Sequence, residues 1–127
     1  MGGYLKVDAQ RVETTALNTK IHKELFEDFK IRCKQLGYPM NVMLETFMQQ
    51  YGNGRFYLDP YDITKWKADD FELDTLNTTF NKEIYTNFKK KCKDDGYFVK
   101  YVIMAFMETY LSGNFLLEFI EESKIKQ

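Results

Sequence analysis

Two stretches of the chain alternate apolar and polar side chains with the period of a β-strand, in which successive residues face opposite sides. They cover residues 15–21 and 74–80. We therefore predict two short strands with one apolar face each. The residues of those faces are Leu17, Thr19 and Ile21 in the first strand and Leu76, Thr78 and Phe80 in the second.

After each strand the spacing of apolar residues changes to steps of three and four, which is typical of a helix that buries one side. Each predicted helix leads to a glycine, Gly37 or Gly96, placed where a helix end favours a left-handed residue. A second helical pattern follows both glycines. The apolar positions are Leu25, Phe26, Phe29, Cys33, Leu36, then Met43, Leu44, Phe47, Met48, Tyr51 in the first half, and Ile84, Tyr85, Phe88, Cys92, then Val102, Ile103, Phe106, Met107, Tyr110 in the second.

The two halves are copies of one unit. A shift of 59 residues aligns the chain with itself without a gap, and 17 of the 43 residues from 17 to 59 are identical to those from 76 to 118. Two copies are too few for a solenoid, so the repeat indicates a pseudo-symmetric pair. We expect one domain over residues 1–127, built from repeats 4–59 and 63–118, with a C-terminal tail at 119–127. Residues 59–72 form an ordered connector, and the apolar run at 115–122 fits either a short helix or a strand.

Composition supports a packed core and limits where charge can act. Hydrophobic residues make up 44% of the chain, which is enough for a packed core. The net charge is -1, whereas nucleic-acid-binding proteins usually carry an overall positive charge. Any basic surface must therefore be local. Neither a membrane-spanning apolar run nor a signal-peptide pattern is present, so we expect a cytoplasmic protein with no membrane partner.

The order strand, helix, helix leaves a single strand without a neighbour to bond with, so each copy needs a partner strand. In this the chain resembles the ribbon-helix-helix family of DNA-binding repressors, which includes MetJ and Arc. The likeness covers both copies: the strand at 16–21, a first helix of about 15 residues, the turn at 37–41 and a second helix. It implies a mainly α fold with a small central antiparallel β-ribbon, as a tandem ribbon-helix-helix pseudo-dimer.

The family reads DNA bases with the outward residues of its ribbon, which enters the major groove. At the matching positions Asn can contact adenine, Lys can donate to guanine, and Thr offers a hydroxyl or a methyl group. The resemblance thus implies six base-reading residues: Ala16, Asn18, Lys20, Thr75, Asn77 and Thr79. Since only Asn18 and Asn77 match between copies, the implied site has imperfect two-fold symmetry.

The family also holds DNA phosphates at the start of its second helix, where backbone N–H groups and the helix dipole favour an anion. This chain departs from the family there, with Pro39 and Phe98 in place of a Ser/Thr-type cap. The remaining phosphate candidates are Asn41 and Lys100 at the second helices and Lys23 and Lys82 at the first. The lysines at 89–93, with counterparts at 30, 32 and 34, fit either phosphate contact or a solvated helix face.

A narrower likeness is to the TraN-type DNA-binding proteins of Gram-positive conjugative plasmids, which are also internally duplicated. It rests on size, duplication and element order. It implies an accessory or regulatory role in conjugative transfer, whereas the wider family implies transcription regulation. In both cases the expected partner is double-stranded DNA, with a monomer off DNA and further assembly on DNA or with transfer proteins.

Other classes of function find little support in the residues. The sole histidine, His22, has Asn81 as its counterpart and fits a helix start better than catalysis. Cys33 and Cys92 lie in apolar stripes, as small buried side chains do. We therefore expect no enzyme, no catalytic residue, no metal and no cofactor. The competing interpretation is a protein–protein adaptor or antitoxin-like module that docks a partner through residues 115–120.

Overall fold

The computed structural model describes residues 12–67 and 70–113. Two strands, β1 (Thr14–His22) and β2 (Leu73–Asn81), pair antiparallel in a two-stranded sheet. Asn18 faces Asn77 at the centre of the ladder. The strands are each one residue longer at both ends than the alternating pattern predicts, and their pairing confirms the predicted ribbon.

Helices account for most of the remaining chain, so the predicted mainly α fold with a two-stranded antiparallel sheet is confirmed. Each strand leads directly into a long helix, and a second long helix follows after a short turn, which confirms the tandem strand-helix-helix order. The helices are α1 (Lys23–Leu36), α2 (Met40–Gly52), α3 (Pro60–Thr64) with a 3-10 turn at Lys65–Lys67, α4 (Lys82–Asp94) and α5 (Val99–Ser112).

The change from strand to helix is fixed by a side chain at the last residue of each strand. His22 accepts a hydrogen bond at Nδ1 from the Leu25 backbone N–H, at 3.1 Å. Asn81 accepts at Oδ1 from the Ile84 N–H, also at 3.1 Å. Both side chains satisfy an amide that the first turn of a helix leaves unpaired. The interpretation of His22 as a helix-start residue is therefore confirmed.

The turns between the long helices depend on glycine. Gly37 has a φ of 78° and Gly96 a φ of 83°, in the left-handed region that other residues rarely adopt. The Cys33 carbonyl, four residues before Gly37, accepts a hydrogen bond from the Tyr38 N–H at 3.0 Å, and the second copy repeats that bond. These turns reverse the chain so that the second helix of each copy can reach the core.

The second helix of each copy packs mainly against the first helix of the other copy, α2 on α4 and α5 on α1. Ring contacts repeat on both sides of this arrangement. The Phe29 ring lies 5.1 Å from that of Tyr110, and the Tyr51 ring lies 5.7 Å from that of Phe88. Since neither copy closes a core with its own helices alone, the two copies form one interlocked hydrophobic core.

The predicted helical stripes are buried, except that Ile84 is half-buried and Leu36 is exposed. Leu36 is 39% exposed, although the spacing of three from Cys33 places it on the apolar side of α1. It is the last residue of its helix, beyond the part that the neighbouring elements cover, and its counterpart Asp95 is exposed as well. The prediction that Leu36 belongs to the core is wrong.

The connector is ordered over its described residues. The Ile63 side chain of α3 is buried, and the rings of Trp66 and Phe71 lie 5.8 Å apart. Phe71 also lies 4.5 Å from the ring of His22, so the connector packs on the end of β1. The apolar run at 115–122 and the tail at 119–127 lie outside the described residues. Within residues 12–67 and 70–113, no helix has the length and apolar character to cross a membrane.

Candidate nucleic-acid interface

The outer face of the ribbon brings together the six side chains that the family resemblance marks as base readers. All six are exposed. The antiparallel register places them in directly opposed pairs, and cross-strand pairs of this kind lie close together on one face of a sheet. The pairs are Ala16 with Thr79, Asn18 with Asn77, and Lys20 with Thr75.

The inner face of the ribbon is buried in the core. Leu17 is 8% exposed, and Ile21, Leu76 and Phe80 are almost fully buried. Alternation along a strand separates these anchors from the outer residues, which point to the opposite side. The outer face is therefore free to vary or to bind without disturbing the packing that holds the ribbon in place.

The outer face is polar but carries little charge. Both strands are described in full, and among their eight exposed residues Lys20 is the one charged side chain. The remaining exposed residues offer two amides, three hydroxyls and two apolar side chains. Any ligand of this face would therefore be held by hydrogen bonds and shape more than by net charge attraction.

The lysines at the starts of the first helices are bonded to the residue that precedes the opposite strand. The Lys23 N–H donates to the Glu72 carbonyl oxygen at 2.9 Å, and the Lys82 N–H donates to the Glu13 carbonyl oxygen at 2.9 Å. Their ammonium groups also approach the same glutamates, at 3.8 Å for Lys23 and 3.3 Å for Lys82. Both ion pairs are exposed, and exposed pairs contribute about 0–1 kcal/mol. Either lysine can therefore exchange its carboxylate for a phosphate at small cost.

The last residue of each strand is held by a second helix. The Asn81 N–H donates to Glu45 Oε1 at 2.6 Å, and the His22 N–H donates to Met104 Sδ at 3.5 Å. Glu45 and Met104 occupy equivalent positions in the two copies. The sequence did not reveal this shared role, because a carboxylate and a thioether have little in common except the ability to accept a hydrogen bond.

The second helices begin without side-chain caps. The side chains of Pro39 and Phe98 accept no hydrogen bond from the first turn of the helices that follow them. Asn41 and Lys100, the residues predicted to contact phosphate there, are both exposed. Because the first amides of a helix have no partner within it, both starts retain N–H groups suited to an anion.

The basic tract of the second copy is also on the surface. Lys89, Lys90 and Lys93 are exposed, and Lys91 forms an ion pair with Asp95 at 3.3 Å. In the first copy the matching positions hold two exposed lysines, an exposed isoleucine and a half-buried arginine: Lys30, Lys34, Ile31 and Arg32. The second copy thus presents the stronger local positive charge.

The buried thiols offer no reactive site. Cys33 and Cys92 are free and buried, and burial raises the pKa of the Cys33 thiol to about 11 and that of Cys92 to about 12. Thiols that hold their proton are poor nucleophiles and poor metal ligands. Over residues 12–67 and 70–113, no three His, Cys, Asp or Glu side chains are grouped so as to hold a metal ion.

Comparison of the chain with protein families, with curated proteins and with solved structures finds no match. The arrangement itself is therefore the basis for classification. The strands of the two strand-helix-helix units pair antiparallel, and the second helix of each unit packs against the first helix of the other unit. This architecture is consistent with a ribbon-helix-helix-like internal repeat.

Proposed function

We propose that this chain binds double-stranded DNA sequence-selectively, with its β-ribbon in the major groove. The observation that carries the proposal is the outer face of the ribbon, where three opposed pairs of exposed side chains stand over a buried anchoring face. A major groove about 12 Å wide admits a two-stranded ribbon. The opposed pairs would then lie along the base edges.

The chemistry of the pairs suits base reading. Asn18 and Asn77, at the centre, each offer an amide that can bond adenine N6 and N7 together. Lys20 can donate to guanine O6 and N7, and its partner Thr75 can place a methyl group or a hydroxyl at a neighbouring base. Because Lys20 has Thr79 as its counterpart in the other copy, the two half-sites would differ in sequence.

Contacts to the DNA backbone would fix the ribbon in register. Lys23 and Lys82, next to the strand ends, would exchange their weak pairs with glutamates for phosphates. Asn41 and Lys100 would contact flanking phosphates from the starts of α2 and α5. Such contacts supply affinity on any sequence, whereas the pairs on the ribbon supply selectivity.

The ribbon-helix-helix-like arrangement suggests a cytoplasmic regulator of transcription or an accessory factor of conjugative transfer. Both roles need a protein that recognises a defined duplex site. Since the two strands of the ribbon belong to one chain, a single molecule would suffice for one site, with any further assembly taking place on DNA or with transfer proteins.

A protein–protein role is the second candidate, and the low charge of the ribbon favours it. Lys20 alone is charged on the outer face, and the first copy exposes Ile31 and Val42 at 55% and 42%. A surface with few charged residues at its centre is typical of one that meets another protein. An adaptor or antitoxin-like module would use the same interlocked core.

Selection from a random duplex library, followed by footprinting of the enriched site, tests the first proposal. We expect an enriched site whose affinity falls steeply with salt, because neutralised phosphates release counterions. A shuffled duplex of the same composition is the control and should bind more weakly. The absence of duplex binding at about 50 mM salt would refute DNA recognition and leave the adaptor role.

A further inference from the structure

An open cleft of about 640 Å³ lies at the corner between α4 and α5. Residues of the outer side of α4 and of the turn that follows it line this cleft. It does not include any of the base-reading candidates of the ribbon. The side chains that give it its chemistry are Thr86, Lys89, Lys90, Lys93, Tyr97 and Phe98.

Phe98 leaves a large aromatic surface in contact with water. Its side chain is 69% exposed, and its one ring contact among the described residues is the edge of Tyr101, 5.9 Å away. The core does not require this ring, since Pro39 occupies the same position in the first copy. An exposed phenyl group at the rim of a cleft is a stacking surface for another planar group.

The charge of the cleft is positive. Lys90 and Lys93 stand three residues apart on one face of α4, and no described carboxylate forms an ion pair with either. Lys89 completes the group, with its ammonium 5.3 Å from the centre of the Tyr85 ring. Of the two acids at the end of α4, Asp95 is paired with Lys91, and exposed Asp94 forms no ion pair among the described residues. Three cations are therefore available to an anionic ligand.

We propose that this cleft binds single-stranded nucleic acid, with a base stacked on Phe98 and the neighbouring phosphates on Lys89, Lys90 and Lys93. A basic groove combined with an exposed aromatic ring is the arrangement by which proteins hold unpaired strands. A base within a duplex has both faces covered by its neighbours, so Phe98 favours an unpaired strand over a duplex. A phosphorylated peptide would use the lysines but would gain little from the phenyl ring.

The first copy serves as a natural comparison because its corresponding corner lacks this chemistry. Glu27, Ile31 and Pro39 occupy the positions of Thr86, Lys90 and Phe98. The first copy thus has a carboxylate in place of Thr86, and it lacks the ammonium group of Lys90 and the ring of Phe98. No comparable site can form there. The proposal therefore specifies one single-strand site per chain, located in the second copy and separate from the ribbon.

Fluorescence anisotropy with a labelled oligothymidylate of about 12 nucleotides tests the site. We expect Phe98→Ala and Phe98→Leu to weaken binding at least about fivefold, the effect of losing one base–aromatic stack. Lys90→Ala with Lys93→Ala should lower the slope of log K against log salt by about 1.4. The matched control is Lys30→Ala with Lys34→Ala in the first copy, which should bind like the unaltered chain. Thermal melting verifies that every variant is folded.

Two further measurements distinguish binding at the cleft from binding at the ribbon, and base stacking from charge attraction alone. Asn18→Ala with Asn77→Ala should leave oligothymidylate binding unchanged, whatever the result for duplex DNA. An abasic oligonucleotide of equal length should bind the unaltered chain and Phe98→Ala equally well. No binding of oligothymidylate, equal binding by all the cleft variants, or loss of binding in the ribbon variant would each overturn the proposal.

Discussion

The rings of Phe47 and Phe106 stack on each other, with their centroids 4.1 Å apart and their planes 15° from parallel. The two residues are equivalent positions of the repeat, 59 residues apart, and both are fully buried. Asn18 and Asn77, another equivalent pair, face each other on the ribbon. The pseudo-two-fold axis of the molecule therefore passes through both pairs, with the core contact directly beneath the centre of the candidate interface.

This stacked pair should make the stabilities of the two copies interdependent. We expect Phe47→Leu and Phe106→Leu each to lower the free energy of unfolding by about 1–3 kcal/mol. The double variant should lose less than the sum, by about 0.5–1.5 kcal/mol, because the first substitution already removes the ring contact. Urea denaturation of the four proteins measures this coupling. Strictly additive losses would show that the rings contribute only as separate core residues.

The helix turns give a prediction about backbone strain. A Cβ added at Gly37 or Gly96 would meet no atom within 4 Å, so Gly37→Ala or Gly96→Ala would act only through the positive φ. We expect each to reduce the free energy of unfolding by about 1–2 kcal/mol. Asparagine adopts this conformation more readily than alanine, so the Asn variants are the matched control. Alanine variants as stable as the unaltered chain would contradict a left-handed backbone conformation at Gly37 and Gly96.

Stability should decline in alkaline solution. Burial raises the pKa of Cys33 to about 11 and of Cys92 to about 12, from an ordinary value of 9.0. The unfolded chain thus releases these protons first, so the stabilisation is complete below about pH 9 and is lost as the pH rises through the folded-state values. Burial also raises the pKa of Tyr51 and Tyr110, which adds to the decline.

Urea denaturation at about pH 8 and about pH 10 measures this decline. Cys33→Ala with Cys92→Ala is the control, and its free energy of unfolding should fall less over the same interval. An unchanged free energy of unfolding for the unaltered chain at the two pH values would show that the thiols and phenols are accessible to solvent.

Much of the fold follows from sequence periodicity. Alternation over 15–21 and 74–80 predicted both strands, and the need of a lone strand for a partner predicted their pairing. The repeat indicates a two-fold relation between the strands but does not say which residue lies on the axis. The structure places Asn18 opposite Asn77 there, and the equivalent residues on either side of this pair do not face each other. The six candidate base-reading residues came from the family resemblance, and the structure places all six on the exposed side of the strands.

The remaining features are contacts between residues far apart in the sequence, which periodicity does not predict. The acceptors Glu45 and Met104 act on strand ends 36 and 82 residues away. The ion pairs of Lys23 and Lys82 likewise join residues far apart in sequence. The exposure of Phe98 could not be predicted for another reason: a hydrophobic residue beside a helix start is expected to pack inward, and only the structure shows that it is 69% exposed.

The central claim is that the outer face of the ribbon reads bases, and the most direct measurement is the ratio of dissociation constants for a shuffled duplex and the selected site. Asn18→Ala with Asn77→Ala should lower this ratio at least about tenfold without altering the melting temperature, since each bidentate amide contributes about 1–3 kcal/mol. Lys82→Ala, as the control for phosphate contact, should weaken both duplexes alike and preserve the ratio. If the asparagine variant instead lost affinity equally for both duplexes, base reading by the ribbon would be contradicted.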